Sequence, residues 1–400
     1  MLTINDFQAA ADRLKNVVHK IPLSSSKTFS EMTGAEVYLK YENQQKTGSF
    51  KVRGAYNKIM KRYEEGGLQA VVASSAGNHA QGVAFAASRI GVPATIVMPR
   101  STPIAKVSAT KGYGAKVVLH GATYDEAYAK ACEIVEQEGA EFIHPFDDED
   151  VIAGQGTIAL EILSDLPFVD MVLVPAGGGG LVSGIAACIK QINPRIQVVG
   201  VQAEGADAIV SSFGKDTVQS SASVHTIADG IAVKTPGSVT MGYINQYVDQ
   251  MVTVSDEEIA GTILLLLERT KQVVEPAGAA PLAAVLNHKV DVAGKKICCV
   301  LSGGNIDVSF IHKVVEKGLV TRGRHLKFST VMPDVPGALE RFAHLVAGAE
   351  ANIINFQHDR VQADLAIGDA IIHVVCEVSG QEHGQRLLDT LRKAGYQILN

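Results

Sequence analysis

Short apolar runs rich in β-branched residues alternate with helix-length stretches over most of this chain. Residues 37–40, 70–73, 94–98, 115–119, 171–174, 197–201 and 296–301 are mostly apolar and rich in β-branched residues, the pattern of strands buried on both faces. Between them, 78–90, 123–138 and 156–163 have the length and spacing of helices. This alternation predicts an α/β fold in which two parallel or mixed sheets are covered by helices. A smaller domain over about 40–146 is expected to nest within a larger one, the pair together filling residues 1–320. Near the start, Ile4, Phe7, Ala11, Leu14 and Val18 step by three or four positions, which predicts an amphipathic helix.

The texture changes after residue 320. Alternation at 325–331 predicts a strand, and the proline of Asp334-Val-Pro-Gly-Ala-Leu339 suits the first turn of a helix. Strands at 353–357 and 370–378, a helix at 381–394 and a short strand at 396–399 complete a strand-helix-strand-strand-helix-strand order. That is the split-βαβ, ferredoxin-like α+β arrangement, expected as a separate domain over 325–400.

Composition narrows the function classes. Hydrophobic residues at 46% and charged residues at 20% describe a globular chain, and 400 residues exceed a single core. A net charge of -6 without a clustered basic face argues against nucleic acid as a partner; the densest basic run, Arg322 to Lys327, reads as a linker. Asn5, Asp6 and Asp12 fall where a signal peptide needs apolar residues, and the longest apolar run, 263–267, is far short of the ~20 residues of a membrane span. Neither a membrane nor an exported location is expected. The cysteines at 132, 188, 298, 299 and 376 lack metal-ligand spacing and read as reduced residues of a cytoplasmic protein, with Cys298 and Cys299 on opposite faces of one strand.

The candidate chemistry lies in a few strings. Gly177, Gly178, Gly179 and Gly180 stand between a predicted strand and a predicted helix, where backbone N–H groups converge on an anion. No Lys-Ser/Thr follows, so this is no nucleotide P-loop. The dinucleotide fingerprint fails at Val182 or Ser183, although Glu204 after the next strand keeps a nicotinamide alternative open. A lone phosphate group is the better match. Lys51, in Ser49-Phe-Lys-Val-Arg-Gly54, sits at a loop-to-helix boundary. A Schiff-base lysine there must be largely neutral, which burial and a nearby cation such as Arg53 would achieve.

Asn78, in Ser74-Ser-Ala-Gly-Asn-His79, either caps a helix or donates to a cofactor oxygen. The N–H groups of that turn, with the Ser74 and Ser75 hydroxyls, suit a substrate carboxylate. Ser302 closes a strand and opens Gly303-Gly-Asn305. Opposite a pyridine nitrogen, a neutral hydroxyl leaves the ring unprotonated and a weaker electron sink, which favours β-elimination over transamination. Lysine, asparagine turn and uncharged glycine cradle together fit pyridoxal 5'-phosphate.

These strings, with Glu275-Pro-Ala-Gly278, stand in the order and spacing of a known family. The whole chain resembles the pyridoxal-phosphate-dependent threonine dehydratases (threonine ammonia-lyases) of fold type II, with one C-terminal ACT-like regulatory domain. The resemblance implies that Lys51 carries the cofactor, Phe50 packs beside its ring, and Asn78 binds its phenolate oxygen. It further implies that Gly177 to Gly180 hold the phosphate and Ser302 faces the ring nitrogen. Glu275 resembles a pocket glutamate, although a helix-capping acid before Pro276 fits the sequence equally well. Ser74, Ser75, Asn78 and His79 would bind L-threonine, with L-serine as the secondary substrate.

Related serine racemases carry a serine where this chain has Ala76, which opposes the racemase alternative. Val210 stands where some relatives place a metal-binding aspartate, so no metal is expected. A non-catalytic amino-acid sensor is a further alternative, which the intact Lys51 opposes. In the C-terminal domain, Asp334, Val335, Gly337, Asn352 and Asn355 are the expected contacts for an effector such as isoleucine or valine. A homodimer or homotetramer is expected.

Overall fold

The computed structural model of the chain describes residues 1–360 and 366–399. It divides into two compact units, Met1–Asp307 and Val308–Asn400. The boundary precedes the helix Val308–Thr321, which belongs to the second unit although the sequence pattern grouped it with the first.

Two sheets build the first unit. The larger has six strands in the order Ser24–Ser25, Glu36–Tyr41, Lys296–Leu301, Met171–Pro175, Gln197–Ala203 and Gln250–Val254. All its pairings are parallel except that of Ser24–Ser25. The smaller is parallel throughout, with Lys116–Leu119, Ala94–Met98, Val71–Ser74 and Glu141–Phe142 as neighbours. The smaller sheet falls within the 40–146 span read from the sequence, while the strand Glu36–Tyr41 belongs to the larger sheet. Cys298 and Cys299 are both buried and unpaired. No helix among the described residues is long and apolar enough to cross a membrane.

The helix Lys51–Glu65 crosses the helix Glu149–Asp165 where glycine meets glycine. A Cβ at Gly154 would lie 2.6 Å from the Gly54 Cα, so only glycine permits this approach. Beside this crossing, the same pair of helices shares a buried ionic cluster. Arg53 grips Glu42 with two parallel bonds, Nη2 to Oε1 at 2.7 Å and Nε to Oε2 at 2.8 Å, and its Nη1 reaches Glu161 at 2.7 Å. Lys40 pairs with the other Glu161 oxygen and donates to the Ile21 carbonyl. Burial works against the Glu161 charge, but the Arg53 and Lys40 cations hold its carboxyl below the ordinary range. Because Lys40, Glu42 and Arg53 are buried, each charge depends on its partners rather than on water.

The second unit has the split-βαβ order read from the sequence. Its antiparallel sheet runs Asn352–Asp359, Asp369–Glu377, His325–Pro333 and Ile398–Leu399, with helices Ala338–Gly348 and Gln381–Lys393. Phe328, Phe342, Ile372, Val374, Leu387 and Leu391 form its core.

Arg53→Met should strand the buried Glu42 carboxylate and cost about 3–5 kcal/mol. Lys27→Ala, which breaks an exposed pair with Glu31, should change stability by less than about 0.5 kcal/mol. Urea unfolding of both variants checks the contrast; equal shifts would mean that the cluster holds nothing together.

Candidate active site

The loops that follow the carboxyl ends of the strands converge, as ligand sites in open α/β sheets do. Lys51 opens the helix Lys51–Glu65, with Phe50 at the N-cap. The segment before it is sewn to the end of strand Lys296–Leu301: Ser49 bridges Gly303, and the Phe50 N–H donates to the Ser302 carbonyl at 3.1 Å. Lys51, Phe50 and Ser302 are thus brought together by backbone bonds, and Ser302 is buried.

The Lys51 residue keeps some accessible surface, but its amine is enclosed, and the surroundings of the amine govern its proton. Nζ donates to the Pro145 carbonyl at 2.8 Å and lies 5.3 Å from the Phe50 ring centroid. Burial pushes the Lys51 pKa down to about 8, against the opposing pull of Glu275. The cation proposed from sequence, Arg53, is not the cause. Its guanidinium is engaged by Glu42 and Glu161.

Pro145 leads to the glycine run through its neighbour. The Phe146 ring lies where a Cβ on Gly178 would sit, 2.3 Å from the nearest ring carbon. Gly179 has φ +100 and serves as N-cap of the helix Gly180–Ile192. Thr240 Oγ1 donates to the Gly178 carbonyl at 2.8 Å. The first bond into this helix runs from the Ser183 N–H to the Gly179 carbonyl, so the N–H groups of Gly180, Leu181 and Val182 are its open donors.

On the smaller sheet, Ser74 ends a strand and Asn78 opens the helix Asn78–Ile90. The helix-cap reading of Asn78 is not what is found. Gly77 occupies the N-cap, and Asn78 Nδ2 donates to Glu275 Oε1 at 2.8 Å and Oε2 at 3.1 Å. Glu275 does occupy an N-cap, that of Pro276–Leu286, but its side chain makes no cap bond. Burial pushes the Glu275 carboxyl up to about 7, against the hydrogen bond from Asn78. The Ser75 hydroxyl accepts from the Gly77 N–H at 3.2 Å.

His79 is neutral, because burial and then the Lys51 charge push it down to about 3. With Nε2 donating to the Ile143 carbonyl at 2.8 Å, Nδ1 is an acceptor, so only the His79 main chain can serve a carboxylate. Ser49 Oγ, Ser74 Oγ and His79 Nδ1 are buried and find no hydrogen-bond partner among the described residues. Such orphaned groups beside an enclosed amine and an open helix N-terminus are what a phosphate-bearing aldehyde would satisfy, so these residues fit pyridoxal 5'-phosphate. Sequence reasoning missed Pro145, Phe146 and Thr240, which act through a carbonyl or by packing and carry no motif.

The expected effector residues lie in the second unit and divide into two groups. Asp334, Val335 and Gly337 occupy one loop, with Val335 exposed and Gly337 at φ +83. Asp334 is already paired with Arg360, Nε to Oδ2 at 2.9 Å. Asn352 and Asn355 are exposed at the far end of the sheet: Pro333 pairs with Asp369, whereas Asn352 pairs with Glu377. Eight strand residues, about 26 Å, separate those ends. Within one chain these asparagines do not join Asp334, because the helix Ala338–Gly348 carries the chain back and the next strand starts at the His325 end, running the same way as the first and bringing its other end, His358 and Arg360, to that loop.

The fold and these motifs have counterparts in known proteins. The pattern of the family described as pyridoxal-phosphate dependent enzyme matches residues 14–303. An L-threonine ammonia-lyase of Thermotoga maritima is 50% identical over 398 residues, covering 100% of this chain and 99% of its own. The processed form of threonine deaminase isoform 2 from Solanum lycopersicum superposes with a TM-score of 0.74 at 37% identity, over 79% of this chain and 89% of that one. A serine racemase from Dictyostelium discoideum gives 0.72 at 38% identity, over 77% and 99%.

A carboxyl whose folded pKa exceeds its unfolded value stabilises the protein below the unfolded pKa and loses that contribution as pH rises. The cofactor-free protein should therefore lose on the order of 3 kcal/mol through Glu275 between pH ~4.5 and ~7. Glu275→Gln should flatten that segment of the stability profile, measured by urea unfolding at several pH values. An unchanged slope would place the carboxyl in water.

Proposed function

From its membership of the pyridoxal-phosphate dependent enzyme family, to which this chain belongs, we propose that the protein converts L-threonine to 2-oxobutanoate and ammonia. The observation that carries this reading is the enclosed Lys51 amine, poised near neutral pH between the glycine turn and the Asn78 turn. The full-length likeness to an L-threonine ammonia-lyase supports the choice of substrate. L-Serine, one methyl smaller, should also react, because a methyl is worth only about 1–3 kcal/mol of discrimination.

Pyridoxal 5'-phosphate, when bound, supplies the electron sink that makes an α-proton removable and a β-hydroxyl expellable. The open N–H groups around Gly177 to Gly180 would hold its phosphate, and Asn78 its phenolate oxygen. Lys51 anchors it, and the same amine, lowered to about 8, takes the α-proton as general base. Main-chain N–H groups and hydroxyls of the Ser74–His79 turn hold the substrate carboxylate. Ser302, neutral and buried, would serve the ring nitrogen without charging it. Ala76 offers no proton to the opposite face of the substrate, which disfavours racemisation.

The C-terminal unit is proposed as an ACT-like regulatory domain. Its split-βαβ order supports that reading, and so does the open loop from Asp334 to Gly337 at a helix start. An amino-acid effector there would act through different affinities for two states of a homo-oligomer.

Lys51→Ala should abolish 2-oxobutanoate formation from L-threonine even with excess cofactor, measured by coupled keto-acid assay; turnover near the parent rate would refute the assignment. Isoleucine or valine should shift the threonine saturation curve of the full-length enzyme. Curves unmoved by either ligand would remove them as effectors.

A further inference from the structure

Asn305 has no role so far, yet it sits between the two sheets of the catalytic unit. Its Nδ2 donates to the Thr47 carbonyl at 2.6 Å and to Asn78 Oδ1 at 2.8 Å. Asn78 in turn donates from Nδ2 to both oxygens of Glu275. The result is a chain of two amides, from a main-chain carbonyl at one end to a carboxyl at the other.

The direction of that chain is fixed by its ends. A carbonyl only accepts, so the Asn305 atom facing Thr47 is the NH2. The Asn78 atom facing that NH2 is then the oxygen, which leaves the Asn78 NH2 pointing toward Glu275. A flipped Asn78 would set NH2 against NH2 at Asn305, a repulsive contact. Thr47 is itself held: it has φ +63, and a Cβ on the next residue, Gly48 (φ +74), would lie 2.3 Å from Asn305 Oδ1. Glycine at 48 thus leaves Asn305 the room to reach that carbonyl.

We propose that Asn305 is a positioning residue that presets the Asn78 amide as a hydrogen-bond donor at the cofactor site. This rests on the reading of Asn78 as a contact of the cofactor's phenolate oxygen. Asn305 lies on the segment after strand Lys296–Leu301, and Asn78 on the helix that leaves the smaller sheet. The same bond therefore ties the donor to the larger sheet.

The test is spectroscopic and uses the full-length holoenzyme. Variants Asn78→Ala, Asn305→Ala, Asn305→Asp and the double alanine variant are compared by visible absorbance over a pH series and by cofactor dissociation constant. Asn305→Asp keeps the shape but only accepts, so it should draw the Asn78 NH2 away from the site. Both Asn305 variants should shift the absorbance band and its pH midpoint in the direction of Asn78→Ala, with about tenfold weaker cofactor binding, the size expected for one hydrogen bond. The double variant should match Asn78→Ala alone, because Asn305 acts only through Asn78. Additive shifts, or a parent-like spectrum in Asn305→Asp while Asn78→Ala is shifted, would overturn the relay. A parent-like spectrum in Asn78→Ala would overturn the underlying reading of Asn78, and the proposal with it.

Discussion

Arg53 and its two carboxylates are the constraint on which the rest of the catalytic unit depends. A guanidinium out of contact with water is tolerable only when its donors are met, and Glu42 and Glu161 meet them from two different segments. Glu42 belongs to the connection leaving the larger sheet, Glu161 to the long helix that covers it. Their shared partner stands two residues beyond Lys51. The cluster therefore fixes the first turn of the helix that carries the amine, without lending the amine any charge. Separating these roles matters: had Arg53 been free, it would have repelled the Lys51 proton directly, whereas in this fold burial alone lowers the amine's affinity for it.

The chemistry then follows from where polar groups are left incomplete. Enclosed hydroxyls at Ser49 and Ser74, an acceptor nitrogen on His79 and the open N–H groups before Ser183 are left incomplete in the unit that holds Lys51. Glu275 is buried beside them with its carboxyl held near the point of ionisation. Such groups are costly in an interior and are kept where a ligand completes them.

Much of this was legible in the sequence, for physical reasons that differ by element. The helix expected at 78–90 is found as Asn78–Ile90, because Gly91 at φ +87 stops it as a left-handed C-cap must. The helix expected at 156–163 extends over Glu149–Asp165. Gly154 and Gly156 disguised its first half, and the packing requires them, against Gly54 and Phe7. The strand Gln250–Val254 went unread because it lies at the sheet edge, where a polar start and partial burial replace the apolar run. The strings around Lys51, the glycine run and Ser302 stood out by residue type and spacing, and backbone bonds join the first to the last. The Asn78–Glu275 pair was not, because its members are 197 positions apart and each had a plausible local role. Asn352 and Asn355 looked close to Asp334 along the chain, but the helix Ala338–Gly348 returns the chain to the other end of the sheet before they occur.

The claim at the centre is that one enclosed amine, Lys51, holds the cofactor. Borohydride reduction of the holo-protein, followed by proteolysis and mass spectrometry, reads that attachment directly. Reduction should remove the yellow colour and leave a single stable cofactor adduct on the peptide containing Lys51. An adduct on any other lysine, or a protein that binds cofactor without becoming reducible to one, would contradict it.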